Sequence, residues 1–188
     1  SRFLMTAGSK KDIALDAIAD ALCENCEEIL AANKIDLENG EKSGLTASLL
    51  DRLRLSEERI NGMADGVRQV AALPDPVGRV LDGRTLKNGL QIEKVTVPMG
   101  VIGIIFEARP NVTSDAAALC LKAGSAVILR GGKEAFHSNM AIARVMRDAF
   151  EKAGFPRDCV ALVEDTTRQS ATELMQLSDY LDVLIPRG

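Results

Sequence analysis

Apolar residues recur at spacings of three and four between Lys10 and Asn33, so that Leu15, Ile18, Leu22, Cys26 and Ile29 share one helical stripe. The spacing predicts helix over 10–33 and places Cys26 in the core. A second helical stretch follows Thr46. A third begins after Ser56, whose hydroxyl is placed to cap a first turn carrying Glu57 and Glu58, with Ile60, Met63, Val67 and Val70 as its stripe. The run Leu73-Pro74-Asp75-Pro76 stops that helix, because proline lacks the amide hydrogen and biases its predecessor away from helical angles. Residues 1–76 therefore read as a helical layer that packs on the remainder of the chain.

Beyond Pro76 the grammar changes. Asp82-Gly83 and Asn88-Gly89 are turn dipeptides that flank strand-like segments, and they predict a strand excursion or hairpin over 77–98. Between Leu90 and Val97 the apolar phase shifts, which places a bulge or a change of buried face near Glu93 and Lys94. The excursion suits an oligomer edge and equally a solvated hairpin covering its own domain.

From 99 onward strand and helix alternate. Val101 to Phe106 suits a strand buried on both faces, Ser114 to Lys122 an alanine-rich helix closed by Gly124, and Ala126 to Leu129 the next strand. Glu134 to Ala153 reads as helix, Val160 to Val163 as strand, Thr167 to Leu177 as helix and Leu181 to Ile185 as strand. Four strands joined by three crossover helices imply a parallel sheet of βαβ units, an α/β fold.

Composition narrows the function. The chain has 188 residues, 46% hydrophobic and 27% charged, which is enough apolar side chain for a sizeable core. A net charge of −4 argues against a general nucleic-acid binder. No run approaches the roughly 18 apolar residues of a membrane span, and the first residues lack the order of a signal peptide, so a cytoplasmic protein is expected. The four cysteines are too few for a disulfide scaffold, and the lone pair Cys23 and Cys26 lies far in sequence from the single histidine, His137, so no metal is expected. Cys120 and Cys159 read as core thiols, and His137 as a surface or packing residue.

Ligands of an open parallel sheet collect at the carboxyl ends of the strands. Three loops qualify: Glu107 to Asn111, Arg130 to Glu134, and Pro186-Arg187-Gly188. In the second, paired glycines permit close backbone approach to an anion while Arg130 and Lys133 supply charge, which suggests a phosphate or nucleotide site; an ordinary βα turn with solvated charges reads equally well. Neither GxGxxG nor GxxxxGK[ST] occurs. Asn111, fixed by the proline before it, is able to donate to a developing oxyanion or to begin the next helix with an Asx turn.

The segments VPMGVIGIIFEARPN from Val97 to Asn111, DAAALCLKAG from Asp115 to Gly124, AVILRGGKEA from Ala126 to Ala135 and LIPRG from Leu184 to Gly188 together resemble the gamma-glutamyl phosphate reductases, or glutamate-5-semialdehyde dehydrogenases. That family lies within the aldehyde dehydrogenase superfamily. AANKID from Ala31 to Asp36 and VGRV from Val77 to Val80 also fit it. The resemblance implies a Rossmann-like NADP-binding domain over 99–188 and NADPH-dependent reduction of L-glutamyl 5-phosphate, through a cysteine thioester, to L-glutamate 5-semialdehyde and phosphate, a step of proline biosynthesis. It implies Asn111 as the oxyanion donor, Arg130, Gly131, Gly132, Lys133, Glu134, Pro186, Arg187 and Gly188 around the cofactor, and Arg109 as a substrate-phosphate contact. Arg130 and Lys133 favour the 2′-phosphate of NADPH, while Glu134 pulls toward NADH.

Chains of this family are longer, and their nucleophilic cysteine lies in a downstream catalytic domain that this sequence does not contain. A truncated, amino-terminal part of the enzyme is therefore the expectation, with the full-length form a homodimer or higher homo-oligomer. The alternatives are a non-catalytic nucleotide-binding or oligomerisation fragment, and an acylating aldehyde dehydrogenase acting on an acyl-CoA.

Overall fold

A computed structural model describes residues 8–187. The helical layer comprises α1 (Gly8–Glu24), α2 (Cys26–Lys42), α3 (Ala47–Leu53) and α4 (Glu57–Ala72). The stripe predicted as one helix breaks at Asn25, whose carboxamide bonds the Ala21 carbonyl at 2.8 Å; such a bond competes with continuation of the helix. Cys26 starts α2 and is only half-buried against the core. The Ser56 cap is as expected, its hydroxyl accepting from the Arg59 amide at 3.2 Å. Ala14, Leu15, Ile18, Ala19 and Leu22 of α1 interlock with Ile60, Met63, Ala64, Val67 and Ala71 of α4, and the alanines allow the two axes to approach closely.

Strands β1 (Val80–Thr85) and β2 (Gln91–Val95) form an antiparallel hairpin. Only the second of the two turn dipeptides makes the turn: Gly89 takes φ +86°, whereas Asp82 and Gly83 lie within β1. The irregularity falls between Val80 and Asp82 rather than at Glu93 and Lys94, which pair regularly. The break lies opposite the step from Lys94 to Val95, so the extra residue sits on β1, the partner of the strand on which the sequence pattern placed it. Every residue of both strands is exposed, including Val80, Leu81, Ile92 and Val95.

The second sheet contains β3 (Val101–Phe106), β4 (Ala126–Arg130), β5 (Val160–Leu162) and β6 (Val183–Arg187), all parallel, in the order β5-β4-β3-β6. The crossovers are α5 (Asn111–Lys122), α6 (Phe136–Lys152) and α7 (Arg168–Gln176). Helices α5 and α6 lie on the sheet, and α1, α2 and α4 pack behind them. Strand β3 has no exposed residue, as expected of a strand covered on both faces: Ile102, Ile104 and Phe106 are buried in the core, Gly103 is buried against Leu181 and Leu184, and Val101 and Ile105 are half-buried. Parallel strands bring the ends Phe106, Arg130, Leu162 and Arg187 to one edge, where the site lies. No helix among the described residues is long and apolar enough to cross a membrane.

Candidate active site

The loop after β3 ends in Pro110, whose helical φ of −58° starts α5 at Asn111, three residues before the predicted first turn at Ser114. Asn111 does not form an Asx turn. Its Nδ2 instead donates to Asp115 Oδ2 at 3.0 Å, one helical turn on. A carboxylate only accepts, so this bond fixes which end of the carboxamide carries the N–H groups and leaves the second N–H for another acceptor. Burial raises the pKa of Asp115, while the Asn111 bond and the charge of Arg187 pull it back.

Asn111 and Asp115 open onto a cleft of ≈ 460 Å³ between α3, α4 and the β3 loop. Arg52, Arg54, Arg59 and Arg109 border it. Arg109, expected as an anion contact, is thus brought together with Asn111. Asp115, Arg52, Arg54 and Arg59 were missed by sequence reasoning. The charged string from Asp51 to Arg54 was visible, but nothing in its spacing tied it to a loop more than fifty residues away.

The expected cofactor residues cluster separately, around the loop after β4. Gly131 is required by close packing: a Cβ there would lie 2.2 Å from Asn139 Nδ2 and 3.1 Å from Phe106 Cζ. At Gly132 a Cβ would fill the notch between the β3 and β4 loops, 2.8 Å from Glu134 Oε2 and 3.3 Å from the Glu107 carbonyl carbon. Arg130 turns inward, its Nη2 donating to the Thr166 and Thr167 carbonyls at 2.7 Å each, and so fastens β4 to the start of α7. Lys133 is exposed and makes no ion pair or hydrogen bond among the described residues. Pro186 and Arg187 are exposed at the end of β6, opposite Ile105 and Phe106; Gly188 lies outside the described residues. A notch that must stay free of side chain, an uncommitted ammonium and the carboxylate of Glu134 together suit a dinucleotide's phosphate and ribose.

None of the cysteines borders the Asn111 cleft. Cys120 and Cys159 are buried, which pushes each thiol up to about 11 and keeps it protonated at neutral pH. Cys26 is raised less, by burial and by Glu57. No cluster of three or more possible metal ligands occurs among the described residues. His137 is half-exposed, with Nδ1 2.8 Å from Oδ1 of the buried Asp36.

Over residues 5–183 the sequence matches the aldehyde dehydrogenase family, and the chain belongs to that family. Within the family it is similar to gamma-glutamyl phosphate reductases. That of Syntrophomonas wolfei is 56% identical over 189 residues, covering 100% of this chain and 45% of the relative. The crystal structure of the gamma-glutamyl phosphate reductase of Thermotoga maritima superposes with a TM-score of 0.97 at 41% identity, over 99% of this chain and 45% of that one. An acetylating aldehyde dehydrogenase of Geobacillus thermoglucosidasius shares the fold, with a TM-score of 0.71 at 19% identity over 97% of this chain and 37% of its own. The chain spans under half the length of the curated relatives it matches.

Proposed function

We propose that this chain is the oxyanion and cofactor side of a gamma-glutamyl phosphate reductase, which reduces L-glutamyl 5-phosphate to L-glutamate 5-semialdehyde and phosphate in the cytoplasm. The observation that carries this reading is the Asn111 carboxamide, oriented by Asp115 at the head of α5 and facing an arginine-bordered cleft. A cysteine thiolate from outside these residues attacks the acyl carbon, and phosphate leaves with the electrons of the C–O bond, giving a thioester. Attack places negative charge on the carbonyl oxygen, which the free N–H of Asn111 stabilises. Arg109 neutralises the departing phosphate. Gly132, Lys133 and Glu134, with Pro186 and Arg187 at the end of the neighbouring strand, would hold the nicotinamide cofactor, which when bound would supply the hydride chemistry that reduces the thioester. Lys133 is the cation available for the 2′-phosphate of NADPH, and Arg130 shapes the loop from within. The hairpin β1–β2 supplies an edge for a homodimer or larger homo-oligomer of the full-length enzyme.

Phosphate- and NADP-dependent oxidation of glutamate 5-semialdehyde by the full-length protein, the reverse reaction, tests the proposal. Turnover is expected; its absence in folded protein sinks the reading. Replacing phosphate by coenzyme A tests the acyl-CoA alternative, which predicts faster oxidation with the thiol acceptor.

A further inference from the structure

The Asn111 cleft carries more charge than an oxyanion site needs. Arg59 is committed to the end of α3: Nη1 donates to the Asp51 and Arg54 carbonyls at 2.6 Å each, and Nη2 to Asp51 Oδ1 at 3.1 Å. Arg52, Arg54 and Arg109 are exposed and make no ion pair or hydrogen bond among the described residues. Against these cations stands Asp115. Its Oδ2 is held by Asn111, while Oδ1 accepts no hydrogen bond and faces α4 where Gly66 lacks a side chain, 3.8 Å from the position a Cβ would take. A second glycine of α4, Gly62, borders the cleft with open space where its Cβ would be. Two glycines inside one helix cost about 1 kcal/mol each relative to alanine, so the room they leave is a feature the helix retains against its own propensity.

A site for a bare anion uses cations alone. A carboxylate among arginines weakens the binding of any purely anionic ligand and strengthens that of a ligand which also carries a positive charge. Asn111 Nδ2 and Asp115 Oδ2 are 3.0 Å apart, and a ligand group bonded to either one stands about 3 Å from it. In an extended γ-glutamyl group four bonds separate the acyl carbon from the α-nitrogen, a span of about 5 Å at ~1.5 Å per bond with tetrahedral angles. An acyl group whose oxygen takes the second N–H of Asn111 therefore has the reach to set its α-ammonium within a hydrogen-bond length of the Asp115 carboxylate.

We propose that this cleft recognises the amino-acid head of the substrate, with Asp115 pairing the α-ammonium and Arg52 and Arg54 the α-carboxylate. This rests on the reductase reading, in which the acyl carbon reacts at Asn111. Asp115 is accordingly a specificity-determining residue as well as the group that orients the oxyanion donor.

The full-length enzyme tests this with two aldehydes in the phosphate-dependent oxidation: glutamate 5-semialdehyde and 5-oxopentanoate, which differ only in the α-ammonium. Wild type is expected to favour the amino aldehyde at least 100-fold in kcat/KM. Asp115→Asn should raise KM for the amino aldehyde tenfold or more and leave KM for 5-oxopentanoate unchanged or lower. Arg52→Gln and Arg54→Gln should raise KM for both, because both carry the carboxylate. If Asp115→Asn alters the two substrates by the same factor, Asp115 acts through Asn111 alone and the proposal is overturned. Unchanged KM in both arginine variants overturns the carboxylate half. Should Asp115→Asn not fold, Asp115→Glu replaces it, and raised KM for the amino aldehyde alone is again the expected result. Wild type inactive on both aldehydes would instead refute the reductase reading.

Discussion

Lys11 and Lys122 hold each other's helices. The ammonium of Lys11 on α1 donates to the main-chain carbonyl of Lys122 at the end of α5, 3.0 Å away, and Lys122 sends its own ammonium back to Asp12 of α1. Lys122 also bonds the Ala71 carbonyl at the end of α4, at 2.7 Å. Three helices are thereby tied at one point by two lysines that are almost wholly buried, each with its ammonium at the carboxyl, negative end of a neighbouring helix.

Lys122→Met keeps the aliphatic volume but strips the ammonium from two acceptors, and a loss of about 2 kcal/mol in unfolding free energy is expected. Because the two lysines share one network, the double variant with Lys11→Met should depart from the sum of the singles by roughly 0.5–3 kcal/mol, measured by urea denaturation.

Asp75 provides a pH signature for the same region. Burial opposes its charge, but the Val77 amide and the Lys11 ammonium, each 2.9 Å away, prevail and lower its pKa. Its folded-state pKa lies below the unfolded value of about 3.9, so its stabilisation is complete above that value and is lost as pH falls through the folded pKa. Asp75→Asn should therefore destabilise the protein at pH 7 by about 2 kcal/mol. The difference from wild type should vanish in acid, as read by melting temperature across pH 2 to 7.

For the chemistry, Asn111→Ala in the full-length enzyme should lower kcat by about 10²–10³, the measured cost of removing an oxyanion donor elsewhere. The melting temperature should scarcely change, since Asn111 is exposed.

Thiol labelling separates the cysteines. With pKa values of about 11, Cys120 and Cys159 have roughly one thiol in a few thousand ionised at pH 7.5, and both are also shielded from reagent. Iodoacetamide followed by peptide mass mapping should find these two unmodified in the native state and modified after unfolding.

Gly131→Ala probes the packing of the β4 loop. The added methyl meets Asn139 and Phe106, both buried, and a cost of about 1–3 kcal/mol is expected. Weakened NADPH binding at unchanged melting temperature would contradict this assignment of Gly131 to packing.

Much of this was legible along the chain. Periodicity located the helices, and the alternation of strand and helix after Val101 implied the parallel sheet with its loops on one edge. The relations missed were those between side chains distant in sequence. The motif AANKID resembled a family pattern, yet its physical role emerges only in three dimensions. Asn33 bonds the Leu53 carbonyl, the Leu55 amide and Ser138, and the buried Asp36 accepts from the His137 and Ser138 amides at the head of α6. Asp36 caps a helix about one hundred residues away, a job that local capping rules do not anticipate. The reading of Arg130 from its position was likewise local; the Thr166 and Thr167 carbonyls that engage its guanidinium come from another loop.

The strand order carries a consequence for synthesis. Ile104 of β3 pairs with Leu129 on one side and with Ile185 on the other. A nascent chain meets the first partner soon, but the second emerges about eighty residues after β3, an interval of roughly 4–16 s at ribosomal speeds of ~5–20 residues per second. For that time a strand destined for the middle of the sheet has one open edge, a template for pairing with a neighbouring chain. Slower initiation and lower temperature, which reduce the number of such edges present at once, should raise soluble yield more than any substitution in the finished core.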